Sequence, residues 1–323
     1  MGTTADKLNK ILESKAAIKA AIEAKGVSDV GDVLAEYPDK IASISGGGGG
    51  KFVVPDGMKF GYSSVFDATQ FDTSQVTDMR QMFSSYRGKS LDLSELDTSN
   101  VTSMAYMFSS GQFMTDLNIS NFDTSKVTNM SYMFEAYGGD SLDLSKWDVS
   151  NVTDVSYMFY NVKCSSIDLS CFNTGTSKIS TIGNMFYGCR NLISIDLSNF
   201  NNPVSSFPGF YNCSKLESLD LSSFNTSKIP AYSNLFYSCT SLVNLKLNDI
   251  GHYESRYSNP FTLDLTPCEN LSKESVLFLF NNAFDRKAEG FVKSFTIKLN
   301  ATTKALLTDD EIAIATNKGF TVV

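Results

Sequence analysis

The sequence predicts an α/β-type repeat solenoid with parallel strands, in which each turn combines one strand with one short helical segment. Two observations predict it: a motif that recurs about every 25 residues, and an apolar–polar–apolar triplet that recurs with it. Hydrophobic residues make up 42% of the 323 residues, which is enough to build a long core. We expect a right-handed solenoid over residues 71–250, preceded by a small helical N-terminal region.

The recurring motif begins with a large apolar residue followed by a turn-forming one. It reads Phe-Asp-Thr-Ser-Gln-Val-Thr-Asp-Met from Phe71 and Leu-Asp-Thr-Ser-Asn-Val-Thr-Ser-Met from Leu96. Further copies begin at Phe122, Trp147, Phe172, Phe200 and Phe224. Successive copies start 25, 26, 25, 25, 28 and 24 residues apart. This spacing is typical of a turn that holds one strand and one short helix.

The triplets are predicted strands, because alternation turns their two apolar residues inward and the central polar residue outward. They are Leu91–Leu93, Leu117–Ile119, Leu142–Leu144, Ile167–Leu169, Ile195–Leu197, Leu219–Leu221 and Leu245–Leu247. The other half of each repeat, for example residues 76–83, has apolar residues at steps of three, three and one. This pattern predicts a short helical or 3₁₀ segment over the far side of the core.

Aromatic and sulfur-containing residues at fixed repeat positions are predicted to fill the core. The phenylalanines expected to stack inside the solenoid are Phe83, Phe108, Phe134, Phe159, Phe186, Phe210 and Phe236. The methionines beside them are interpreted as core residues rather than metal ligands. The six cysteines include no CxxC pair. Those in repeat register, such as Cys189, Cys213 and Cys239, are interpreted as small buried hydrophobes, with disulfides as the alternative.

Charge and composition exclude several functions. A net charge of −8 argues against nucleic-acid binding, and no apolar run is long enough for membrane insertion. His252 is the single histidine, which makes histidine-based metal sites and catalytic triads improbable. We therefore expect no enzyme, no catalytic residues, no cofactor and no metal. The alternative is a glycosidase, which needs two carboxylates that converge in a pocket.

The chain divides into five predicted regions. Residues 1–45 have apolar residues at helical spacing but are too few to bury them alone, so they are predicted to drive oligomerisation or attachment. The alternative is a small helical subdomain folded onto its neighbour. Residues 46–50 are a glycine linker, natural or engineered. Residues 51–70 form an N-terminal cap, residues 71–250 the solenoid, and residues 251–323 a C-terminal capping unit.

The central residues of the triplets form the first candidate ligand-binding row: Asp92, Asn118, Asp143, Asp168, Asp196 and Asp220. Parallel strands lie about 4.8 Å apart, so like charges in such a row repel unless water, a basic ligand or a cation such as calcium separates them. The favoured alternative is a solvated face whose carboxylates accept hydrogen bonds from nearby Ser or Thr hydroxyls, because the sequence has no known calcium loop.

Three further sets have candidate roles. The predicted turn and N-cap residues are Asp72, Asp97, Asp123, Asp148, Asn173, Asn201 and Asn225. The tyrosines that follow the stacked phenylalanines are interpreted as surface residues for ligand contact or as outer packing: Tyr86, Tyr137, Tyr160, Tyr187, Tyr211 and Tyr237. An irregular loop with His252, Tyr253, Arg256 and Tyr257 is either a ligand-specific patch or a surface loop without a role.

The repeat unit resembles a known family. Phe-Asp-Thr-Ser-x-Val-Thr-x-Met-x-x-Met-Phe with Leu-Asp-Leu-Ser is similar to the BspA-type leucine-rich repeat, a bacterial surface-protein repeat of lactobacilli and mycoplasmas. The resemblance covers residues 67–250, with an insertion at Gly175–Thr176 and a degenerate unit at Asn201–Pro203. It implies a secreted or surface-displayed binding module that attaches to cells or matrix.

The two ends resemble other proteins. Residues 3–27 and 37–41 are similar to N-terminal segments of phage tail and virion-fibre proteins. Residues 271–284, 295–299 and 306–320 resemble a C-terminal unit of gut-phage and Bacteroidetes repeat proteins. Read from the residues, this end is helix, strand, helix and a final strand, which shields the terminal apolar edge of the solenoid.

These observations lead to one functional expectation. We expect a non-enzymatic phage virion protein, from a tail or head fibre, made in the host cytoplasm. Its solenoid is expected to bind a host cell-surface glycan or protein, and residues 1–45 to bind other virion proteins. A homo-oligomer is expected, with a trimer as first choice on the resemblance to phage fibres. The sequence shows no export signal or anchor, which favours the virion over the main alternative, a bacterial surface adhesin. A carbohydrate-active enzyme is a weaker alternative.

Overall fold

The computed structural model describes residues 51–172, 178–198, 200, 207, 209–224, 234–251, 261–291 and 295–323. The predicted helical region and glycine linker, residues 1–50, lie outside the described residues. The insertion at Gly175–Thr176, the degenerate unit at Asn201–Pro203 and the loop from His252 to Tyr257 also lie outside them. None of the helices among the described residues has both the length and the apolar character that crossing a membrane requires.

The described chain forms a parallel solenoid of about eight turns, which confirms the predicted fold class. Its strands are β1 (Phe52–Val53), β2 (Phe71–Asp72), β3 (Ser90–Asp92), β4 (Asp116–Asn118), β5 (Ser218–Leu221), β6 (Asn244–Leu247), β7 (Phe261–Asp264), β8 (Phe295–Lys298) and β9 (Phe320–Val322). β1 pairs with β2, β3 with β4, and β5 with β6, while β7, β8 and β9 form one sheet. Every one of these pairings is parallel, as stacking of successive turns requires.

The predicted strands are only partly regular. β3, β4, β5 and β6 fall on the triplets, whereas the triplets at residues 142–144, 167–169 and 195–197 have no strand assignment. Their side chains still alternate: Leu142 and Leu144 are buried, and Asp143 between them is exposed. Alternating side-chain packing therefore keeps these extended segments in register without a regular ladder of hydrogen bonds.

The second half of each repeat is a series of tight turns, so the prediction of a short helical or 3₁₀ segment there is wrong. Met79 and Phe83 donate their backbone N–H to Ser103 and Met107 of the next turn, at 3.0 and 2.9 Å. Gln81 between them also donates to the next turn, to Ala105 at 3.1 Å, whereas the alternate residues bond locally, as Met82 does to Met79 at 3.2 Å. We call this half of the repeat the wound side.

Left-handed backbone conformations explain why the wound side is not helical. Gln81 and Ser85, four residues apart, have φ angles of 60° and 64°. Later turns repeat this geometry at Tyr106, Ser110, Tyr132, Ala136, Tyr157, Asn161, Asn184, Gly188, Asn212 and Ser238. A residue with positive φ ends a right-handed helix, so alternate N–H groups point to the neighbouring turn instead.

The phenylalanine stack runs through the interior as predicted. Phe108 lies 5.6 Å from Phe134, and Phe134 lies 5.9 Å from Phe159, measured between ring centroids. Phe83 and Phe186 continue the same stack at 6.0 and 5.9 Å from their neighbours. The methionines beside the stack are fully buried, which confirms their interpretation as core residues: Met79, Met82, Met104, Met107, Met130, Met133, Met158 and Met185.

Buried threonines at the start of the motif form hydrogen bonds between successive turns. The Thr124 hydroxyl donates to the Asp148 carbonyl at 2.9 Å and accepts the Asp148 N–H at 2.9 Å. The aspartates before these threonines close turns as predicted, since each accepts the N–H two residues ahead. These are Asp72, Asp97, Asp123 and Asp148, while Asn173, Asn201 and Asn225 lie outside the described residues.

The cysteines are free, and all but one are fully buried, so the packing interpretation holds rather than the disulfide alternative. Their thiols donate to backbone carbonyls of the preceding turn, as Cys189 does to Phe159 at 3.1 Å and Cys239 does to Phe210 at 3.0 Å. Burial raises the pKa of the Cys164 thiol to about 12. The Cys164 thiol is therefore protonated at neutral pH, and the buried cysteines have a structural role.

Both ends of the solenoid continue the stacking. β1 pairs with β2, and Phe60 lies 5.5 Å from Phe83, so residues 51–70 already contribute a turn. The C-terminal end contains the helices α1 (Lys273–Asn281), α2 (Ala301–Ala305) and α3 (Asp309–Asn317). β8 lies between α1 and α2, and β9 follows α3, so the predicted order of helix, strand, helix and final strand holds except that two helices, α2 and α3, precede the final strand.

Candidate functional site

The predicted outward row is present, but each of its side chains closes a turn. The side-chain oxygen of every member accepts the backbone N–H of a serine two residues ahead, in the pairs Asp92–Ser94, Asn118–Ser120, Asp143–Ser145, Asp168–Ser170, Asp196–Ser198 and Asp220–Ser222. These hydrogen bonds are 2.9 to 3.2 Å long. The row therefore has a structural role of the kind anticipated by the alternative interpretation, with backbone N–H groups as the main donors. Ligand binding there remains a prediction.

At its two ends, the row makes contacts between adjacent turns that stabilise its carboxylates. The Asn118 amide donates to the Asp92 carboxylate at 2.9 Å, and Lys246 forms an ion pair with Asp220 at 3.0 Å. The three aspartates between these pairs follow one another on successive turns. Among the described residues, no three Asp, Glu, Cys or His side chains are grouped so that they could hold a metal ion.

Hydrogen bonding dominates the electrostatics of the row. The backbone N–H and then the side chain of Ser94 hold the pKa of Asp92 below its ordinary value of 3.8. The pKa of Asp168 is lowered by Ser170 in the same way, and the charge of Asp143 one turn away opposes this with a smaller effect. The carboxylates are therefore ionised at neutral pH despite their spacing.

We expect this row to make the protein acid-labile. A carboxylate whose pKa is lowered in the folded state stabilises the fold above its unfolded pKa, so stability should fall as pH drops below about 4. Urea denaturation at neutral pH and at successively lower pH measures this loss. The Asp143→Asn/Asp168→Asn variant keeps the turn-closing acceptor, as Asn118 does naturally, and should lose less stability in acid. An identical acid profile for both proteins would contradict the assignment.

The tyrosines predicted to follow the stacked phenylalanines occupy two different places. Tyr86 and Tyr137 are only 1% and 2% exposed and pack edge-on against the stack. These two stand three residues after the phenylalanine, a position that turns inward. The other four stand directly after it and lie at the surface: Tyr160, Tyr187, Tyr211 and Tyr237. Outer packing and surface contact thus belong to different repeat positions.

Three surface tyrosines escaped the sequence analysis. Tyr106, Tyr132 and Tyr157 stand two residues before the stacked phenylalanine, where the backbone is left-handed. Their rings stack in sequence, with centroids 4.5 Å apart at both steps. The recurrence of Tyr-Met-Phe in these three repeats is the signal that could have revealed them.

The seven surface tyrosines form one continuous row along the wound side, which we call the tyrosine strip. It comprises Tyr106, Tyr132, Tyr157, Tyr160, Tyr187, Tyr211 and Tyr237. Tyr157 and Tyr160 join its two segments within one turn, at a centroid distance of 5.8 Å. Tyr187, Tyr211 and Tyr237 continue it with separations of 4.6 and 4.7 Å.

The strip is partly open to solvent and electrically neutral. Tyr237 at its C-terminal end is 46% exposed, and the other six rings are half-buried. Burial, and then the neighbouring tyrosines, raise the pKa of Tyr132 to about 12. The Asn184 amide donates to the Tyr157 hydroxyl at 2.9 Å. The strip therefore offers ring edges together with phenol hydroxyls that can form hydrogen bonds.

A groove of about 360 Å³ lies at the N-terminal end of the strip. Its lining includes Lys59, Asp78, Arg80, Gln81, Tyr106 and Asn129. The structure thus brings together side chains from four successive turns, among them the first ring of the strip and several charged and amide groups. None of these residues belongs to the predicted site. The other predicted candidates, His252, Tyr253, Arg256 and Tyr257, lie outside the described residues.

The fold and these stacked rows define a parallel repeat solenoid whose units agree with a BspA-type repeat module. The chain belongs to the family described as Mycoplasma protein of unknown function, DUF285, whose family model matches residues 58–172 and 165–259. No curated protein and no solved structure matches the chain. Residues 1–57 and 260–323 lie outside the matched ranges, so the resemblance of the two ends to phage proteins enters only the proposal below.

Proposed function

We propose that this protein is a non-enzymatic attachment module that binds an extended glycan or protein on a host cell surface. The tyrosine strip is the observation that carries the proposal. It extends over six turns, from Tyr106 to Tyr237, on the exposed part of the wound side. Tyrosine combines an apolar ring with a polar tip and is enriched at interfaces. A solenoid face of this length suits an extended ligand.

The carrier that we propose is a phage particle. Residues 1–45 would attach the module to other virion proteins, in line with the resemblance of this segment to virion-fibre proteins, and the glycine linker would let the solenoid search for its ligand. Several copies on one particle would convert weak contacts into tight attachment through effective concentration. The second candidate is a bacterial surface adhesin, which the Mycoplasma origin in the family description favours.

Binding of fluorescently labelled full-length protein to a panel of bacterial strains tests the attachment role. We expect binding to at least one strain, and its loss in the Tyr187→Ser/Tyr211→Ser variant. The matched control is Tyr62→Ser, since Tyr62 is 44% exposed but lies outside the strip. Equal binding by all three proteins, or binding to no strain, would overturn the role proposed for the strip.

Two further measurements separate the alternatives. Antibodies against the protein should label purified virions if the carrier is a phage, and intact bacterial cells if the protein is an adhesin. Incubation with the polysaccharides of a bound strain, followed by product analysis, tests the enzyme alternative. Released oligosaccharides would refute a non-enzymatic role.

The N-terminal region should drive self-association. Removing residues 1–45 is expected to convert an oligomer, with a trimer as first choice, into a monomer, because these residues have apolar faces too small to fold alone. Light scattering of the full-length and truncated proteins measures the mass directly. An oligomer that survives the truncation would show that the solenoid makes the contact.

A further inference from the structure

The groove at the N-terminal end of the tyrosine strip has the dimensions of a small-ligand site. Its volume of about 360 Å³ is near the lower end of the range for ligand pockets, roughly 300–1,000 Å³. Gly57 and Ala105 contribute to its lining, and their small size leaves room between the larger side chains. The groove therefore suits a ligand of about one sugar residue.

Cations outnumber anions among the side chains that line the groove, in a chain of net charge −8. Two cations, Lys59 and Arg80, and one anion, Asp78, line it, and the carboxylate of Asp56 lies close enough to act on Asp78. The Arg80 side chain is 62% exposed even though it forms an ion pair with Asp78 at 2.7 Å. Two exposed cations that line one groove of an acidic protein favour an anionic ligand there.

Both cations are held in place by neighbouring side chains. Asp78 accepts hydrogen bonds from the Arg80 Nε at 3.0 and 2.9 Å, which fixes the plane of the guanidinium. The Lys59 Nζ donates to the Gln81 side chain. Cations that are positioned before binding lose less side-chain entropy when a carboxylate arrives. Hydrogen bonds between a guanidinium and a carboxylate are charge-assisted and therefore stronger than those between neutral groups.

The remaining lining residues match the neutral part of a sugar. Tyr106 is the first ring of the strip, stacked on Tyr132 at 4.5 Å, and Gln81 stands where the following turns carry a tyrosine. Asn129 Oδ1 accepts hydrogen bonds from the N–H and hydroxyl of Ser131, both at 2.8 Å, so its Nδ2 holds the donors for a ligand. An aromatic ring beside an amide can contact the C–H groups and hydroxyls of a pyranose.

We propose that this groove binds an acidic sugar residue of a surface polysaccharide, with its carboxylate at Arg80 and Lys59 and its ring against Tyr106. This inference rests on the proposed attachment function and names the ligand class of the same face. The neighbouring sugar residues of the polymer then lie along Tyr132 and Tyr157, the next rings of the strip. The groove thus selects for a negatively charged sugar residue, and the strip extends the contact to the neighbouring residues of the polymer.

Calorimetry of the full-length protein with defined oligosaccharides tests the proposal. The acidic probes are tetrasaccharides of galacturonate, guluronate and hyaluronan, and the neutral probe is a galactose tetrasaccharide. We expect at least one acidic probe to bind at least tenfold more tightly than the neutral one. Added salt should weaken this binding, because the contact is ionic. Free glucuronate is a further probe. If the strip extends the contact, free glucuronate should bind more weakly than the hyaluronan tetrasaccharide, which contains glucuronate.

Two variants assign the binding to the groove. Lys59→Gln/Arg80→Gln removes both cations and is expected to weaken acidic binding at least tenfold, whereas Lys215→Gln, which removes an exposed lysine outside the groove, should bind as the wild type does. Tyr106→Leu should weaken binding while it keeps the charges. Circular dichroism spectra that match the wild type show that the variants are folded.

The results distinguish this inference from the proposed function. If no acidic probe binds more tightly than the neutral one, or if the double variant binds acidic probes as the wild type does, the inference is overturned. Binding to bacterial cells that depends on Tyr187 and Tyr211 would then still support attachment. If acidic probes bind through the groove but the protein binds no cell, the inference stands and the attachment role fails.

Discussion

Replacing Phe134 with alanine is expected to lower the free energy of unfolding by about 3–5 kcal/mol. The Phe134 side chain is fully buried, and it lies between Phe108 at 5.6 Å and Phe159 at 5.9 Å. Truncation removes contacts with both adjacent turns and leaves a cavity that a stacked core cannot close. Urea denaturation, followed by circular dichroism, measures the change.

The matched control is Phe113→Ala, since the Phe113 side chain is 54% exposed on a neighbouring turn. This control substitution should change the free energy of unfolding by no more than about 0.5 kcal/mol, as other surface substitutions do. If Phe134→Ala cost less than about 1 kcal/mol, the stack would not be the internal support that the ring distances indicate.

Gly138→Ala is expected to lower the free energy of unfolding by about 1–3 kcal/mol, and some overpacked positions lose more. A Cβ at Gly138 would lie 2.3 Å from the carbonyl oxygen of Gln112 and 2.7 Å from its carbonyl carbon. Both are backbone atoms of the adjacent turn, so rotation of a side chain cannot relieve the contact. The two turns must therefore move apart. This movement would disturb the hydrogen bond that the Gly138 N–H donates to the Gly111 carbonyl at 3.1 Å.

Thermal unfolding of Gly138→Ala beside the wild type measures this effect, and Asp140→Ala is the control because Asp140 is exposed two residues further along. The control should unfold within a few degrees of the wild type. An unchanged midpoint for Gly138→Ala would show that the spacing of these turns is more adaptable than their backbone contacts indicate.

The period, the inward triplets and the phenylalanine stack could be predicted from the sequence because side-chain polarity records burial directly. Asp143 between Leu142 and Leu144 is an example, since exposure alternates there even without a regular strand. The geometry of the wound side could not be predicted in this way. Apolar residues three apart fit one helical turn equally well, and the left-handed conformations at Gln81 and Ser85 occur in residues that give no glycine signal.

The tyrosine strip was missed in part because repeat position, rather than residue type, decides where a tyrosine lies. Tyr86 and Tyr160 both follow a stacked phenylalanine, yet Tyr86 is buried and Tyr160 lies in the strip. The groove was missed for another reason. Lys59 precedes the first copy of the motif, whereas Asp78 and Arg80 belong to the turn that this copy begins, and only the fold brings these charged residues together.

The buried cysteines give this protein an internal reporter of local opening. The fully buried thiols lie at Cys164, Cys189, Cys213, Cys239 and Cys268, so they sample only the C-terminal part of the solenoid. A thiol reagent reaches each of them only when its turn separates from the next, and repeat proteins open from turn to turn rather than all at once. The order in which mass spectrometry finds these cysteines labelled would therefore show whether the solenoid frays from its C-terminal cap or opens from the middle.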